Sequence, residues 1–310
     1  MNQIAANMFV RSLWTKYGKR LERWADFLLT VVACGGLGFL LWMLLQVTSL
    51  TSFRIPTESM QPTLIPGDYI LVEKWTMGGR IFDLPDAAEG KEVEIRRLPG
   101  FGKVERNDVL VFNFPHHHRW DSIGMDLMVY YVKRCIGLPG DTVSIRNGYY
   151  RVAGVADTLG HVPAQRRLER LLATDRLKDA GIAYRSFPED SVRDWTIGDF
   201  GPLFIPSEGS RVCLTEGEVP LYRRAIEWEQ KKRLEVKDGQ VLLGDSAVHE
   251  YVFRKNYYFV GGDNVLNSQD SRYWGLLPEE YIVGRAIRIW KSVDKDTDEF
   301  RWERWMKKIE

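Results

Sequence analysis

Cysteine is scarce in this chain. Three residues out of 310, Cys34, Cys135 and Cys213, are too few and too widely spaced for a disulfide framework or a cysteine-based zinc site, and they leave open a single Cys135 to Cys213 bridge. Histidine is nearly as sparse: His116, His117, His118, His161 and His249 are the full set, and none lies in a catalytic motif. An excess of either charge is missing as well. With 43 Lys and Arg against 42 Asp and Glu, the formal charge of +1 supplies no whole-chain attraction to nucleic acid, so a charged partner must be met locally. No internal repeat is visible at periods of about 20 to 50 residues. What is present is ordinary core-forming material, 45% hydrophobic and 12% aromatic residues, which excludes a disordered or collagen-like chain. At 310 residues it forms either one large domain with a sizeable insertion or two domains.

Long apolar runs are absent except for one. Residues 27–47, FLLTVVACGGLGFLLWMLLQV, contain twenty-one residues and no charge, and a helix of that length spans roughly 30 Å of hydrocarbon. A cleavable signal peptide, a buried core helix and a membrane anchor all compete for such a segment. The run exceeds the roughly 7 to 15 residues of a signal-peptide apolar region and no A-x-A follows it, which favours the anchor. Arg11, Lys16, Lys19, Arg20 and Arg23 precede it against Glu22 and Asp26, whereas Arg54 is the single base between it and Lys74. By the positive-inside rule the N-terminus stays in the cytoplasm and everything after residue 50 is exported. Beyond the run, residues 69–73, 109–112, 128–136, 142–145, 257–260 and 282–289 are short, rich in Val, Ile, Tyr and Phe, and separated by turn residues, which predicts a mainly β body. Leu168, Leu171 and Leu172 at i, i+3 and i+4 predict an amphipathic helix over 165–173.

Three segments carry chemistry. Residues 55–68, IPTESMQPTLIPGD, hold Ser59 on a loop stiffened by Pro56, Pro62 and Pro66 and closed by Gly67. A serine in such a loop is more commonly a turn residue, so something must activate it. The His116-His117-His118 run is an alternative metal site, although a solvated loop is the plainer reading. Lysine is better placed. In residues 131–143, YVKRCIGLPGDTV, alternation puts Lys133 on a strand face with Val129, Tyr131 and Cys135. An unperturbed lysine would be neutral in only about one molecule in 2,500 at pH 7, but desolvation lowers its pKa and makes the amine a base for a serine hydroxyl. The alternative is a surface lysine whose stem covers apolar neighbours. The third segment, residues 261–275, GGDNVLNSQDSRYWG, is either an Asx-rich loop or a supporting shell, in which Ser268 holds the amine and Asp270 and Arg272 stand behind it.

Together these segments resemble the type I signal peptidases (leader peptidases), membrane-bound serine proteases with a Ser/Lys dyad. SMQPTLIPGD at 59–68 is similar to the family's nucleophile box, KRCIGLPGD at 133–141 to its lysine box, and GDNVLNSQDSR at 262–272 to its C-terminal box; RNDVLVF at 106–112 is similar to a further structural box. The resemblance covers about 40 residues. It implies Ser59 as nucleophile, Lys133 as general base, Ser268 as the group that orients Lys133, Asp270 and Arg272 as residues shaping the site, and an oxyanion hole formed by the Thr57 hydroxyl and the Ser59 amide. It implies no cofactor and no metal. The chain departs from the common pattern at Glu58 and Asn107, where glycine is usual, and at Val265 and Leu266, where a charged Arg-Asp pair is common.

The expected organisation is a cytoplasmic segment 1–26, a transmembrane helix 27–48, an exported antiparallel, barrel-like catalytic β domain in two parts, 49–150 and 256–295, a smaller inserted domain 151–255, and an amphipathic segment 296–310. The partners implied are signal-peptide-bearing precursors, the lipid bilayer of a bacterial-type cytoplasmic membrane and the translocation machinery, with no nucleic acid. A precursor would enter as an added strand, with Met60 and Ile136 as candidates for the pocket walls. A Ser/Lys self-cleaving regulator and a non-catalytic membrane-anchored β domain are the competing readings. In the C-terminal segment, Trp302, Trp305, Met306 and Ile309 share one face if it is helical, and that face would lie on a membrane surface or pack on the β body.

Overall fold

The computed structural model of the chain describes every residue except 1, 90, 92, 117–119, 175, 178–182, 189 and 191. The chain divides into two units, residues 1–49 and 50–310. The first is a single helix, α1 (Asn2–Thr48), so the apolar run is the latter part of a longer helix that begins in the basic segment. Within it Glu22–Leu44, 23 residues of mean hydropathy 2.2, is long and apolar enough to cross a membrane. None of that window is buried.

The second unit is built on an antiparallel sheet. Its strands, in chain order, are β1 (Leu50–Arg54), β2 (Asp68–Glu73), β3 (Val109–Asn113), β4 (Tyr130–Gly137), then β8 (Tyr257–Gly261), β9 (Leu277–Pro278), β10 (Ile282–Ser292) and β11 (Lys307–Lys308). A three-stranded sheet between them uses β5 (Thr142–Arg146), β6 (Tyr149–Val152) and β7 (Phe200–Phe204). The large sheet runs β1-β2-β10-β3-β4-β8-β9, with β11 beside β10. Register shifts along β10 against both β2 and β3 bend this long strand, as bulges do, and curl the sheet.

The predicted strands are all present. β4 starts two residues later than the pattern implied: the Asp126 carboxylate accepts from the amides of Met128 and Val129, so these donors are spent locally, although the Val129 carbonyl still accepts from the Phe114 amide. The predicted amphipathic helix is α2 (Val162–Ala173), which opens earlier, with His161 as its cap and proline in its first turn. Beyond these lie α3 (Val219–Gln230), the short α4 (Ser271–Trp274) and a five-residue helical turn at Leu84–Ala88.

Three apolar clusters hold this unit. The largest joins the sheet to segment 151–255 without a seam: Leu110, Ile136 and Phe259 pack with Phe200, Tyr222 and Trp228. A second, containing Ile55, Met60, Leu64, Ile70 and Val283, sits under the loop between β1 and β2 and fixes it to the sheet. The third joins α2 to the C-terminal box, Leu168, Leu177 and Ile197 closing around Val265.

One alternative left open by the sequence is closed, and one expectation is corrected. Cys135 and Cys213 are both free, the first buried and the second exposed, so they form no bridge. The C-terminal segment is not a helix with one apolar face: it is a single 3-10 turn (Trp302–Arg304) followed by β11. Tertiary ties override its helical period. The buried Arg304 guanidinium donates to both oxygens of the Asp68 carboxylate, Lys307 and Lys308 pair with Ile289 and Arg288, and Ile309 packs on the second cluster. Trp302 and Trp305 remain exposed.

Candidate active site

Ser59 stands on the loop from β1 to β2. Ile55, Met60 and Leu64, all buried, pin that loop from below, so Met60 both lines the cleft and anchors its floor. Lys133 comes from the middle of β4. The two side chains meet: Lys133 Nζ donates to Ser59 Oγ at 2.7 Å and to the Val132 carbonyl at 3.0 Å. Lys133 is 4% exposed, and no carboxylate lies within ion-pair distance of it among the described residues. Burial lowers its pKa to about 8; the more distant Asp270 and Asp263 oppose that shift and Arg272 reinforces it. Near pH 7 roughly one molecule in ten then carries a neutral amine, about two hundred times the fraction for an exposed lysine. The ring of Tyr131 lies 5.2 Å from the amine.

Thr57 Oγ1 lies 3.5 Å from Ser59 Oγ, on the same turn. The Ser59 amide has no hydrogen-bond partner among the described residues, so the hydroxyl and the amide are two donors available at one place.

Behind the dyad, α4 begins at Asp270, and the Asp270 carboxylate accepts from the Gly262 amide and from Arg272 through both Nε and Nη2. Both side chains are fully buried. Burial opposes ionisation of Asp270, but Arg272 and the Gly262 amide outweigh it and hold the carboxyl below its ordinary value. The ion pair is therefore self-neutralising and leaves little net field at Lys133. Ser268 is also buried, but among the described residues it makes no hydrogen bond with the lysine: its hydroxyl lies by the Asp270 carboxylate, which it helps hold down, and the Val132 carbonyl accepts from the amine instead. Gly262 permits this packing, since a Cβ there would fall 2.1 Å from Ser268 Oγ and 2.6 Å from the Ser59 carbonyl oxygen.

Sequence reasoning missed several supporting residues. Asn264 clamps the nucleophile loop, its amide donating to the Ser59 carbonyl at 3.0 Å and its Nδ2 to the Glu58 carbonyl at 3.1 Å. Arg134 pairs with Asp263 through two contacts of 2.7 and 2.6 Å and donates to the Asn107 carbonyl. Asn107 replaces glycine at a positive φ of 70°, which Asn tolerates, and uses its side chain to tie Thr158 and Gly160 to this layer. The positions of Asp263 and Asn264 inside the polar 261–275 cluster were the available signal; their partners, far away in sequence, were not.

The cleft in front of the dyad measures about 240 Å³ and is walled by Pro56, Thr57, Glu58, Tyr130, Val132 and Gln269, among others. β8 pairs with β4 only at Arg134, Cys135 and Gly137, so β4 at residues 130–133 has no strand partner on that side. Ile136, the other expected wall residue, is buried in the main core and does not line the cleft. Of the three consecutive histidines, His116 is buried rather than solvated. Its Nδ1 contacts the Ser122 carbonyl and burial lowers its pKa to about 4, while His117 and His118 lie outside the described residues.

Residues 23–291 match a family model described as signal peptidase, peptidase S26. Among curated relatives, the signal peptidase I of Buchnera aphidicola subsp. Baizongia pistaciae is 28% identical over 251 residues, covering 78% of this chain and 70% of the relative. That of Aquifex aeolicus is 28% identical over 241 residues, covering 78% and 75%. A solved signal peptidase I from Enterococcus faecalis is 22% identical and covers 60% of this chain and 98% of its own, with a TM-score of 0.26. With the match extending from the apolar helix to the last long strand, this chain belongs to the signal peptidase family, peptidase S26.

Proposed function

We propose that this protein removes N-terminal signal peptides from exported precursors, with Ser59 as nucleophile and Lys133 as its base. The observation that carries the reading is a buried, carboxylate-free amine 2.7 Å from a hydroxyl on a pinned loop. The neutral amine takes the proton of Ser59 Oγ as the oxygen attacks the carbonyl carbon of the residue before the cut. The developing oxyanion accepts from the Thr57 hydroxyl and the Ser59 amide. Lys133 then delivers its proton to the leaving amine as the C–N bond breaks. In the second half a water loses a proton to the regenerated amine and attacks the acyl carbon; as the Ser59 Oγ–C bond breaks, the Lys133 ammonium returns that proton to Oγ and the dyad is restored. Ser268, buried beside Asp270, accepts from the ammonium while it is charged, and Asp270 with Arg272 keeps that layer in place.

The unpartnered side of β4 at 130–133 suits an extended substrate, which adds as a strand and presents small side chains to the confined cleft. The apolar part of α1 anchors the chain in a bacterial-type cytoplasmic membrane. Its basic flank keeps the N-terminus in the cytoplasm, so residues 50–310 work on the far side, where precursors leave the translocation machinery. The test is cleavage of a purified precursor by the detergent-solubilised full chain beside its Ser59→Ala variant. Cleavage by the parent alone supports the reading. Equal cleavage by both, or by neither, rejects it in favour of other chemistry or of a non-catalytic binding domain.

A further inference from the structure

The 3-10 turn that leads into β10, Glu279–Tyr281, has its carbonyl groups capped by two arginines. Arg97 donates to the carbonyls of Glu279, Ile282 and Gly78, and Arg80 to those of Glu280 and Tyr281 at 3.4 and 3.2 Å. Both come from one small antiparallel pair, Arg80–Ile81 with Arg96–Arg97, and neither has a carboxylate within ion-pair distance among the described residues. They differ in one contact. Arg80 Nη2 also donates to Asn113 Oδ1 at 2.8 Å, and Arg97 does not reach Asn113. We propose that this contact makes Arg80 a positioning residue for the substrate: through Asn113 it holds the edge of β4 at 130–133 in the extended form that a precursor joins. The inference rests on the signal-peptidase reading above.

Asn113 is the last residue of β3, fully buried, and it faces Tyr130, the first residue of β4. The two ends of its amide serve different partners: Oδ1 accepts from Arg80, while Nδ2 donates to the carbonyls of Asp126 and Leu127 at 3.0 and 3.2 Å. A guanidinium has only donors, so it selects the oxygen and turns the nitrogen towards the loop. Asp126 carries the order onward. Its carboxylate accepts from the amides of Met128 and Val129, and the Val129 carbonyl accepts from the Phe114 amide, one residue before β4 begins. Each link from Arg80 to Tyr130 is thus a hydrogen bond or a peptide bond.

Residues 130–133 pair with β3 and have no strand partner on the β8 side, so the start of β4 depends on this tie. Tyr130 and Tyr131 wall the cleft, and the Tyr130 ring stacks on Phe53 of β1 at 4.9 Å. An edge that frays must be ordered again when a peptide adds to it, which weakens binding. The dyad lies farther along the strand, where Lys133 is buried and bonded to Ser59, so the chemical step is spared. Burial and Arg97 lower the pKa of Arg80 to about 9, Tyr130 opposing, and the guanidinium therefore remains charged at neutral pH.

The test is steady-state cleavage of one precursor by the full chain in detergent, with folding of each variant checked by denaturant unfolding. Arg80→Met is expected to raise KM about tenfold, the scale of a lost hydrogen bond to a charged group, with kcat within about twofold of the parent. Asn113→Asp keeps an acceptor for Arg80, which pairs with the new carboxylate, but turns an oxygen towards the Asp126 and Leu127 carbonyls; it should raise KM to a similar extent. Arg97→Met removes a guanidinium from the same turn and should leave KM unchanged whatever it does to stability. If Arg80→Met fails to fold, Asn113→Asp decides alone. A parental KM in Asn113→Asp or in folded Arg80→Met, a loss confined to kcat, or an equal rise of KM in Arg97→Met would overturn the proposal. Failure of the parent to cleave would instead reject the signal-peptidase reading beneath it.

Discussion

Lys133 and Arg134 are neighbours on one strand and face opposite ways, and both are almost completely buried. The arginine meets the Asp263 carboxylate, the Thr63 hydroxyl and the Asn107 carbonyl. The lysine meets a hydroxyl and one carbonyl. Burying a charge is unfavourable in either place. For Arg134 Asp263 offsets that penalty, so the residue stays charged and stitches three segments together. For Lys133 nothing of opposite charge is adjacent, and the penalty appears as a pKa near 8. One side of β4 has turned a buried cation into a structural tie, and the other leaves an amine that loses its proton more readily, as the proposed base must.

Exchanging the two environments gives the sharpest predictions. Lys133→Met, which removes the amine but keeps most of its volume, should fold at least as stably as the parent while lowering precursor cleavage by at least about 10³-fold, as should Ser59→Ala. Asp263→Ala is the mirror case. It strands the Arg134 charge and should lower stability by about 3–5 kcal/mol in denaturant unfolding, with activity following the folded fraction. If Lys133→Met were the variant that unfolds and Asp263→Ala the neutral one, the contrast between the two faces would be wrong. Thr57→Val should lower kcat by about 10²-fold or more with little change in KM, and Thr57→Ser should restore most of it. Ser268→Ala, which removes one contact from the protonated amine only, should be the mildest, with a roughly tenfold loss in kcat.

The sequence made the strands, the apolar helix and the meeting of Ser59 with Lys133 legible because each has a local signal: alternation, length, and a proline-stiffened serine loop followed by a lysine on an apolar strand. It did not reveal how far the nucleophile loop depends on distant partners. Asn264 reaches Ser59 across some two hundred residues, and Arg134 reaches Asp263 across 129, and no periodicity encodes such pairs. The C-terminal segment failed for a related reason, since a helical apolar period was overruled by Asp68 and β10, both remote in sequence. Val265 and Leu266 read as departures from a charged pattern. Their meaning, a docking contact for α2, became visible only once residues 162–173 were seen packed against them.

The most direct test of the central claim is the pH dependence of kcat/KM for a single precursor. The neutral amine is the active form, so the rate should rise about tenfold per pH unit under acidic and neutral conditions and level off with an apparent pKa near 8, the value burial gives Lys133. A rise that continues towards pH 10.5, as for a hydrated lysine, or a profile already flat by pH 6, would contradict the account.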